Sequence, residues 1–164
     1  MGFCQKWIGW MQEYVTTVSY SVLVDGFSHG FFKPTRGLRQ GDPLSPYLLL
    51  ICAEGLSHLL HKGEQRHEFS GLWLNRWCPT ISHLFFANDS ILFEKVNAQT
   101  CQNLLHLLRE YSEISGQVTN LNKSSIFFSQ NMPEELRNEI AKILQVLHVR
   151  SQDKYLGLPA VVNR

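Results

Sequence analysis

The chain has 164 residues, of which 44% are hydrophobic and 18% are charged, so it is long enough for one domain with a buried core and is not composed like a disordered chain. Its formal net charge of +1 lacks the basic excess of proteins that grip nucleic acid unaided, so either nucleic acid is not the partner or the basic parts lie elsewhere. The four cysteines include no CxxC pair, and neither a secretory signal nor a membrane-length apolar run occurs, so we expect an intracellular protein without a zinc knuckle.

The N-terminal part of the chain carries a helical pattern followed by a hairpin pattern. Apolar and aromatic residues at helical spacing predict a helix over 3–14, and β-branched and aromatic residues predict a strand over 16–24. Asp25 and Gly26 form a turn signal, so segment 27–33 is predicted to return as the antiparallel partner of that strand.

A loop and a long helix are predicted next. Segment 34–43 is a loop by its glycines and prolines. Asp42 and Pro43 are typical of a helix start, because Asp accepts from the first N–H groups and Pro lacks an N–H that would have no partner there. This helix is predicted to end at about 61 or 62, and the polar segment 63–68 is predicted to be a surface connection.

The middle of the chain predicts strands. Segment 69–74 is one candidate, and the apolar runs 80–87 and 90–96 are two more. Asn88 and Asp89 separate these runs, and both residue types tolerate left-handed backbone angles. The pattern therefore predicts a hairpin with Asn88-Asp89 as its two-residue turn.

Two helices and two short strands are predicted in the C-terminal part. Asn97 is expected to cap a helix that Gly116 ends, with an apolar stripe at Cys101, Leu104, Leu105, Leu108, Tyr111 and Ile114. A second helix is expected to begin at Pro133, with an apolar stripe at Leu136, Ile140, Ile143, Leu144 and Leu147. The short strands are expected at 126–128 and 155–158. Together these elements predict an α+β fold in which helices pack on one face of an antiparallel sheet.

Two segments carry candidate chemistry. The loop before the long helix contains Arg36, Arg39 and Gln40 among glycines, and such a loop at a helix N-terminus can contact a phosphate or nucleotide, although it can also be a plain surface turn. The acidic tip of the later hairpin at Asn88 and Asp89 can likewise be a simple turn. The presence of the glycine-rich loop in the same chain favours a functional role for this hairpin tip.

Two weaker patterns have simpler interpretations. One helix face carries side chains that could hold a metal but are more simply a solvated helix end: Glu54, His58 and His61. The tryptophans could stack on bases but are more simply residues of core or surface packing: Trp7, Trp10, Trp73 and Trp77.

Several motifs together resemble the reverse transcriptases of LINE-type (non-LTR) retrotransposons, in particular those of plants. RGLRQGDPLSPYLLL at 36–50 resembles their nucleotide-pocket motif, and HLFFANDSILF at 83–93 resembles their catalytic hairpin, whose family form is Phe-Ala-Asp-Asp. SGQVTNLNKSSIFFS at 115–129 and KYLGLP at 154–159 resemble the segments that follow. Segment 2–26 resembles the helix and strand that precede the pocket motif, so the resemblance covers essentially the whole chain.

The resemblance implies a polymerase palm that adds deoxynucleotides to a DNA primer by copying an RNA template, with two Mg²⁺ ions held by carboxylates. It assigns metal binding and catalysis to Asp89, with Asn88 at a degenerate position, and a weaker charge or proton role to Lys123, which could equally be a solvated lysine. The nucleotide-binding positions that it implies are Arg36, Arg39, Gln40, Gly41 and Ser45.

Two departures from the family pattern predict an inactive fragment. Asn88 stands where the family has aspartate, and a neutral amide is a poor ligand for a hard cation. The upstream aspartate motif, the fingers and the thumb are also expected to be absent from this chain, which would make residues 1–164 a partial reverse transcriptase domain. Alternatives are a module that holds RNA or a nucleotide without chemistry, or an interaction relic whose exposed sheet edge pairs with another polypeptide. We expect nucleic-acid binding by the chain alone to be weak or absent, and self-association to occur through an exposed strand edge.

Overall fold

The computed structural model describes residues 2–95, 97–129 and 131–148, with two further residue pairs at 154–155 and 158–159. Its helices are α1 (Gln5–Thr16), α2 (Ser45–Gln65), α3 (Ala98–Ser115) and α4 (Glu134–Leu144), with a 3₁₀ turn at Leu121–Lys123. Its strands are β1 (Tyr20–Val24), β2 (Phe27–Phe32), β3 (His83–Phe86), β4 (Asp89–Leu92), β5 (Ser125–Ile126), β6 (Leu147–His148), β7 (Lys154–Tyr155) and β8 (Leu158–Pro159). The chain divides into two compact units, Met1–Leu49 and Leu50–Arg164.

The first unit contains α1 and the predicted hairpin. Strands β1 and β2 pair antiparallel, with Val24 opposite Phe27. The turn residues Asp25 and Gly26 have φ angles of 50° and 82°, and a two-residue hairpin turn of the primed type requires positive φ at both positions. The turn predicted from these two residues is therefore confirmed.

Helix α2 begins later and ends later than predicted. The Asp42 carboxylate accepts the Leu44 N–H at 2.8 Å, and the Ser45 N–H donates to the Asp42 carbonyl, so a turn precedes the first helical residue. At its other end the helix continues to Gln65 through Gly63, which is buried. The prediction of a surface connection over 63–68 was therefore wrong at its start, because apolar side chains cover Gly63.

The predicted strand over 69–74 is replaced by a single bridge between Leu72 and Ile81. The Ser70 N–H donates to the Glu94 carboxylate at 3.0 Å, and the Ser70 carbonyl accepts from the Lys95 N–H. These bonds satisfy the backbone of Ser70 outside a strand ladder, so a regular strand does not form.

The single antiparallel sheet that the sequence predicted was also wrong. The described strands form four separate two-stranded sheets: β1–β2, β3–β4, β5–β6 and β7–β8. The β5–β6 pair is parallel, and the other three pairs are antiparallel. The broader prediction of a mixed α+β structure is confirmed. Each described strand is short, two to six residues long, and short strands leave little backbone with which to join the pairs into one sheet.

The core of the second unit lies between α2, α3 and the inner face of the β3–β4 hairpin. Its buried cluster consists of Leu56, Leu60, Phe69, Leu104, Leu107 and Tyr111. Phe85 and Leu92 pack against this cluster from the hairpin. Burying such side chains removes apolar surface from water, so the cluster attaches the hairpin to the two helices.

Helix α3 has the predicted ends and most of the predicted stripe. The Asn97 side chain accepts the Thr100 N–H, and Thr100 accepts the Asn97 N–H in return, while Gly116 closes the helix at a φ of 70°. Leu107 is buried although it was left out of the predicted stripe, and Ile114 was wrongly included, since it is 72% exposed.

Helix α4 begins after Pro133 as predicted and ends at Leu144. Ile140 is completely buried. Leu147 was predicted to belong to the helix stripe but lies in β6 instead, because Gln145 adopts a left-handed conformation and ends the helix before it. The single strand predicted over 155–158 was wrong, because Tyr155 and Leu158 lie on β7 and β8, which pair antiparallel with each other. Residues 156 and 157 lie outside the described part.

Candidate functional site

The β3–β4 hairpin presents its acidic residue at the start of a strand. Phe86 pairs with Asp89, so the turn consists of Ala87 and Asn88 rather than of Asn88 and Asp89 as predicted. Ala87 takes the left-handed conformation, with a φ of 49°. The prediction failed by one residue because it assigned the turn to the polar pair, whereas Ala87 supplies the positive φ. Both Asn88 and Asp89 are exposed.

The inner face of the hairpin is held by aromatic and apolar side chains. His83 and Phe85 alternate with exposed residues along β3, and their rings lie 4.7 Å apart between centroids. Phe85 reaches the buried cluster. The hairpin tip is thus exposed, while its base is fixed to the helices.

The glycine-rich loop of the first unit folds onto its own backbone. Its glycines Gly37 and Gly41 have φ angles of 85° and 81°, which side-chain-bearing residues rarely adopt. The Ser45 hydroxyl donates to the Arg39 carbonyl at 2.9 Å. With its backbone held in this way, the loop exposes the candidate nucleotide-binding side chains Arg36, Arg39 and Gln40.

A cavity of about 240 Å³ lies beside this loop, and Tyr14, Tyr20, Leu38, Arg39 and Asp42 are among its lining residues. The Tyr14 hydroxyl is shielded from solvent and makes no hydrogen bond of regular geometry, although it lies close to the Asp42 carboxylate. The Asp42 carboxylate raises the pKa of Tyr14, and the Tyr14 hydroxyl lowers the pKa of Asp42.

Sequence reasoning missed the pairing of Tyr14 with Asp42. Asp42 was interpreted as a helix cap, and no local pattern links it to a tyrosine on α1. Tyr14 of α1 and Asp42 of the glycine-rich loop line the same cavity in the first unit.

The predicted site residues are divided between the two units. Arg36, Arg39, Gln40, Gly41 and Ser45 lie in the first unit, and Asn88, Asp89 and Lys123 lie in the second. Lys123 ends the 3₁₀ turn, where its N–H donates to the Asn120 side chain at 3.3 Å, and its side chain is exposed.

A metal site in the described part of the chain would draw on its His, Cys, Asp and Glu side chains. Within the described residues, no group of three or more His, Cys, Asp and Glu side chains is arranged to bind an ion. His61 instead lies 3.9 Å from the Glu64 carboxylate on the same helix. None of the helices in the described ranges has the length and apolar content needed to cross a membrane.

Three tryptophans are not core residues, so the prediction of core packing was wrong for them, while surface packing remains open. Trp10, Trp73 and Trp77 are 55%, 72% and 89% exposed. Two of the four make packing contacts: the Trp7 ring stacks on Phe3 at 4.1 Å between centroids, and the Lys6 ammonium lies 5.0 Å from the centre of the Trp10 ring.

Comparison with known proteins agrees with the sequence motifs. The sequence profile of the family described as reverse transcriptase (RNA-dependent DNA polymerase) matches residues 1–160. An uncharacterized mitochondrial protein of Arabidopsis thaliana is 43% identical over 68 residues, which are 42% of this chain and 56% of that relative. The match thus spans little more than half of the relative's length. Since the family profile covers nearly the whole sequence, the chain belongs to the reverse transcriptase (RNA-dependent DNA polymerase) family.

Proposed function

We propose that this chain is the palm region of a LINE-type (non-LTR) reverse transcriptase of plant type, and that by itself it performs no templated DNA synthesis. The observation that carries the proposal is the hairpin tip, which offers one carboxylate, Asp89, beside the amide of Asn88. The match of the family profile over residues 1–160 supports the assignment of this hairpin to polymerase chemistry. Its expected intracellular location stays a prediction.

The donor set at the tip does not fit the metal centre of an active polymerase. Mg²⁺ prefers anionic oxygen ligands, and two-metal catalysis needs carboxylates that contact both ions. Asp89 supplies one such group, whereas the Asn88 amide is neutral. We therefore assign no catalytic step to the isolated chain.

The glycine-rich loop is the proposed nucleotide contact. Arg36 and Arg39 provide exposed guanidinium groups, which bind phosphate oxygens in pairs of parallel hydrogen bonds. Gln40 and Gly41 lie between Arg39 and the start of α2, where the backbone can approach a ligand closely. In the second unit, exposed Lys123 is the proposed partner for a pyrophosphate charge.

The second candidate function is nucleic-acid binding without chemistry. The exposed rings of Trp73 and Trp77 favour it, because bases stack on exposed aromatic side chains. The net charge of +1 opposes it, since phosphate contacts supply most of the affinity of such proteins. We expect any binding of RNA by the chain alone to be weak.

Equilibrium binding of a deoxynucleoside triphosphate tests the loop assignment. Arg39→Gln should weaken binding about tenfold, the effect expected for loss of a charge-assisted hydrogen bond. Arg109→Gln, at an exposed position of α3 in the second unit, is the matched control and should leave binding unchanged. Equal binding by wild type and Arg39→Gln would refute the loop assignment.

A further inference from the structure

A chain of hydrogen bonds connects α2 to the base of the β3–β4 hairpin. The Ser57 hydroxyl lies 2.9 Å from Nε2 of His83, and the Ser82 hydroxyl lies 3.0 Å from Nδ1 of the same ring. The Ser82 hydroxyl also donates to the Glu64 carboxylate at 3.1 Å. Ser57 and Glu64 both belong to α2, so the series of hydrogen bonds begins and ends on one helix, at positions two turns apart.

When His83 is neutral, the donors and acceptors in this series of hydrogen bonds can be assigned in a single direction. The Glu64 carboxylate only accepts, so the single proton of the Ser82 hydroxyl points toward it. The Ser82 oxygen must then accept from Nδ1–H of His83. A neutral imidazole carries one proton, so Nε2 is left as an acceptor for the Ser57 hydroxyl.

The surroundings of His83 favour the neutral ring. Ser82 is buried, and His83 is partly buried beside the Phe85 ring. Burial lowers the pKa of His83, and His61 lowers it further, while the carboxylates of Glu64 and Glu54 act in the opposite direction. The net direction is downward, so the neutral ring predominates near neutral pH.

We propose that His83 is a positioning residue that fixes the hairpin carrying Asn88 and Asp89 onto α2, and that Glu64 selects its Nδ1–H form through Ser82. Protonation of the ring turns Nε2 into a donor, so the Ser57 hydroxyl must reverse its direction or separate from the ring. The direction of the Ser57–His83 hydrogen bond, which attaches the hairpin to α2, therefore depends on pH. The inference rests on the proposed function only in treating this hairpin as the catalytic element.

Nitrogen NMR of the imidazole tests the assigned direction. In the wild-type chain at neutral pH, we expect the Nδ1–H tautomer of His83 to predominate. Ser82→Ala removes the acceptor, and Glu64→Gln adds an amide N–H that can donate to Ser82 and reverse its proton. Both variants should shift the ring toward the Nε2–H tautomer, so the test survives if one of them fails to fold.

The backbone amides of the hairpin test the coupling. The signals of Phe85 and Phe86 should titrate with the same midpoint as the His83 ring, and His83→Gln should abolish that step. His106→Gln, at an exposed position of α3, is the matched control and should preserve it. A dominant Nε2–H tautomer in the wild type, or an unchanged amide titration in His83→Gln, would overturn the proposal. These NMR measurements need neither nucleotide nor primer. A negative result would therefore refute the role of His83 without refuting the proposed function.

Discussion

Phe86 pairs directly with Asp89 at the end of the β3–β4 hairpin, so Asp89 is the first residue of β4 and the turn consists of Ala87 and Asn88. Asp89 therefore has its backbone fixed by the strand pair, while its side chain is exposed. A second carboxylate at position 88 would lie in the turn, directly before Asp89 in the sequence.

Asn88→Asp should increase the affinity of the chain for Mn²⁺, because two neighbouring carboxylates attract a hard divalent cation better than one. Electron paramagnetic resonance of free Mn²⁺ measures this binding directly. Adding Asp89→Asn to this variant should remove the gain. If Asn88→Asp binds Mn²⁺ no better than the wild type, the two side chains do not converge on one ion.

Glu94 should make the chain less stable as the pH rises. Burial raises the pKa of Glu94 from 4.5 to about 7, although the Ser70 N–H bonds to the carboxylate oppose this shift. Between these values the folded state holds a proton that the unfolded state has released, so this stabilisation is present below pH 4.5 and is lost as the pH rises to about 7.

Glu94→Gln tests this linkage, because the amide stays uncharged and keeps an acceptor for Ser70. Its melting temperature should fall less than that of the wild type between pH 4.5 and 7. Within the described residues, Glu64 and Cys101 also interact electrostatically with Glu94, and both remain in the variant. Glu113→Gln, at an exposed position of α3, should follow the wild type. Parallel curves for wild type and Glu94→Gln would exclude the shifted pKa.

Gly63→Ala should destabilise the chain despite the better helix propensity of alanine. A Cβ at this position would lie 2.7 Å from Leu107 and 2.8 Å from Phe69, and both side chains are 3% exposed, so neither can move away easily. Overpacking of this kind costs about 1–3 kcal/mol.

Gly9→Ala is the matched control for Gly63→Ala. Gly9 lies in α1 with no heavy atom near the added Cβ, so that variant should gain about 0.5–1 kcal/mol. Urea denaturation measures both changes. A stabilised Gly63→Ala would show that the core around α2 is looser than the described packing.

Self-association should involve exposed apolar strands. Leu23, Phe27 and Phe31 are 73%, 72% and 81% exposed on the β1–β2 hairpin, and the net charge of +1 gives little repulsion between copies. We expect light scattering to show oligomers of the isolated chain. Phe31→Lys should reduce them more than Gln12→Lys, which adds the same charge at an exposed position of α1. A monomeric wild type would contradict this expectation.

Local signals in the sequence predicted local structure well. The turn at Asp25 and Gly26, and the helix bounded by Asn97 and Gly116, follow from backbone preferences that neighbouring residues alone determine. The glycine-rich loop and the acidic hairpin were likewise identifiable as candidate sites from short motifs.

The features that the sequence did not predict depend on distant partners. Gly63 is buried because Phe69 and Leu107 cover it, and Ser70 leaves the predicted strand because Glu94 accepts its N–H. The hairpin turn lies where it does because Ala87 adopts a left-handed backbone conformation, which is uncommon for alanine. Packing and strand pairing between distant residues determine these features, and the periodicity of a local segment carries no information about such contacts.

Primer extension on an RNA template, with Mg²⁺ or Mn²⁺, measures whether this palm region polymerises by itself. We expect no incorporation of deoxynucleotides by the isolated chain, and none by Asn88→Asp, since one restored carboxylate at the tip does not supply the rest of a two-metal site. Asp89→Asn provides the background. Incorporation by the wild-type chain clearly above that background would contradict the claim that this palm region is inactive alone.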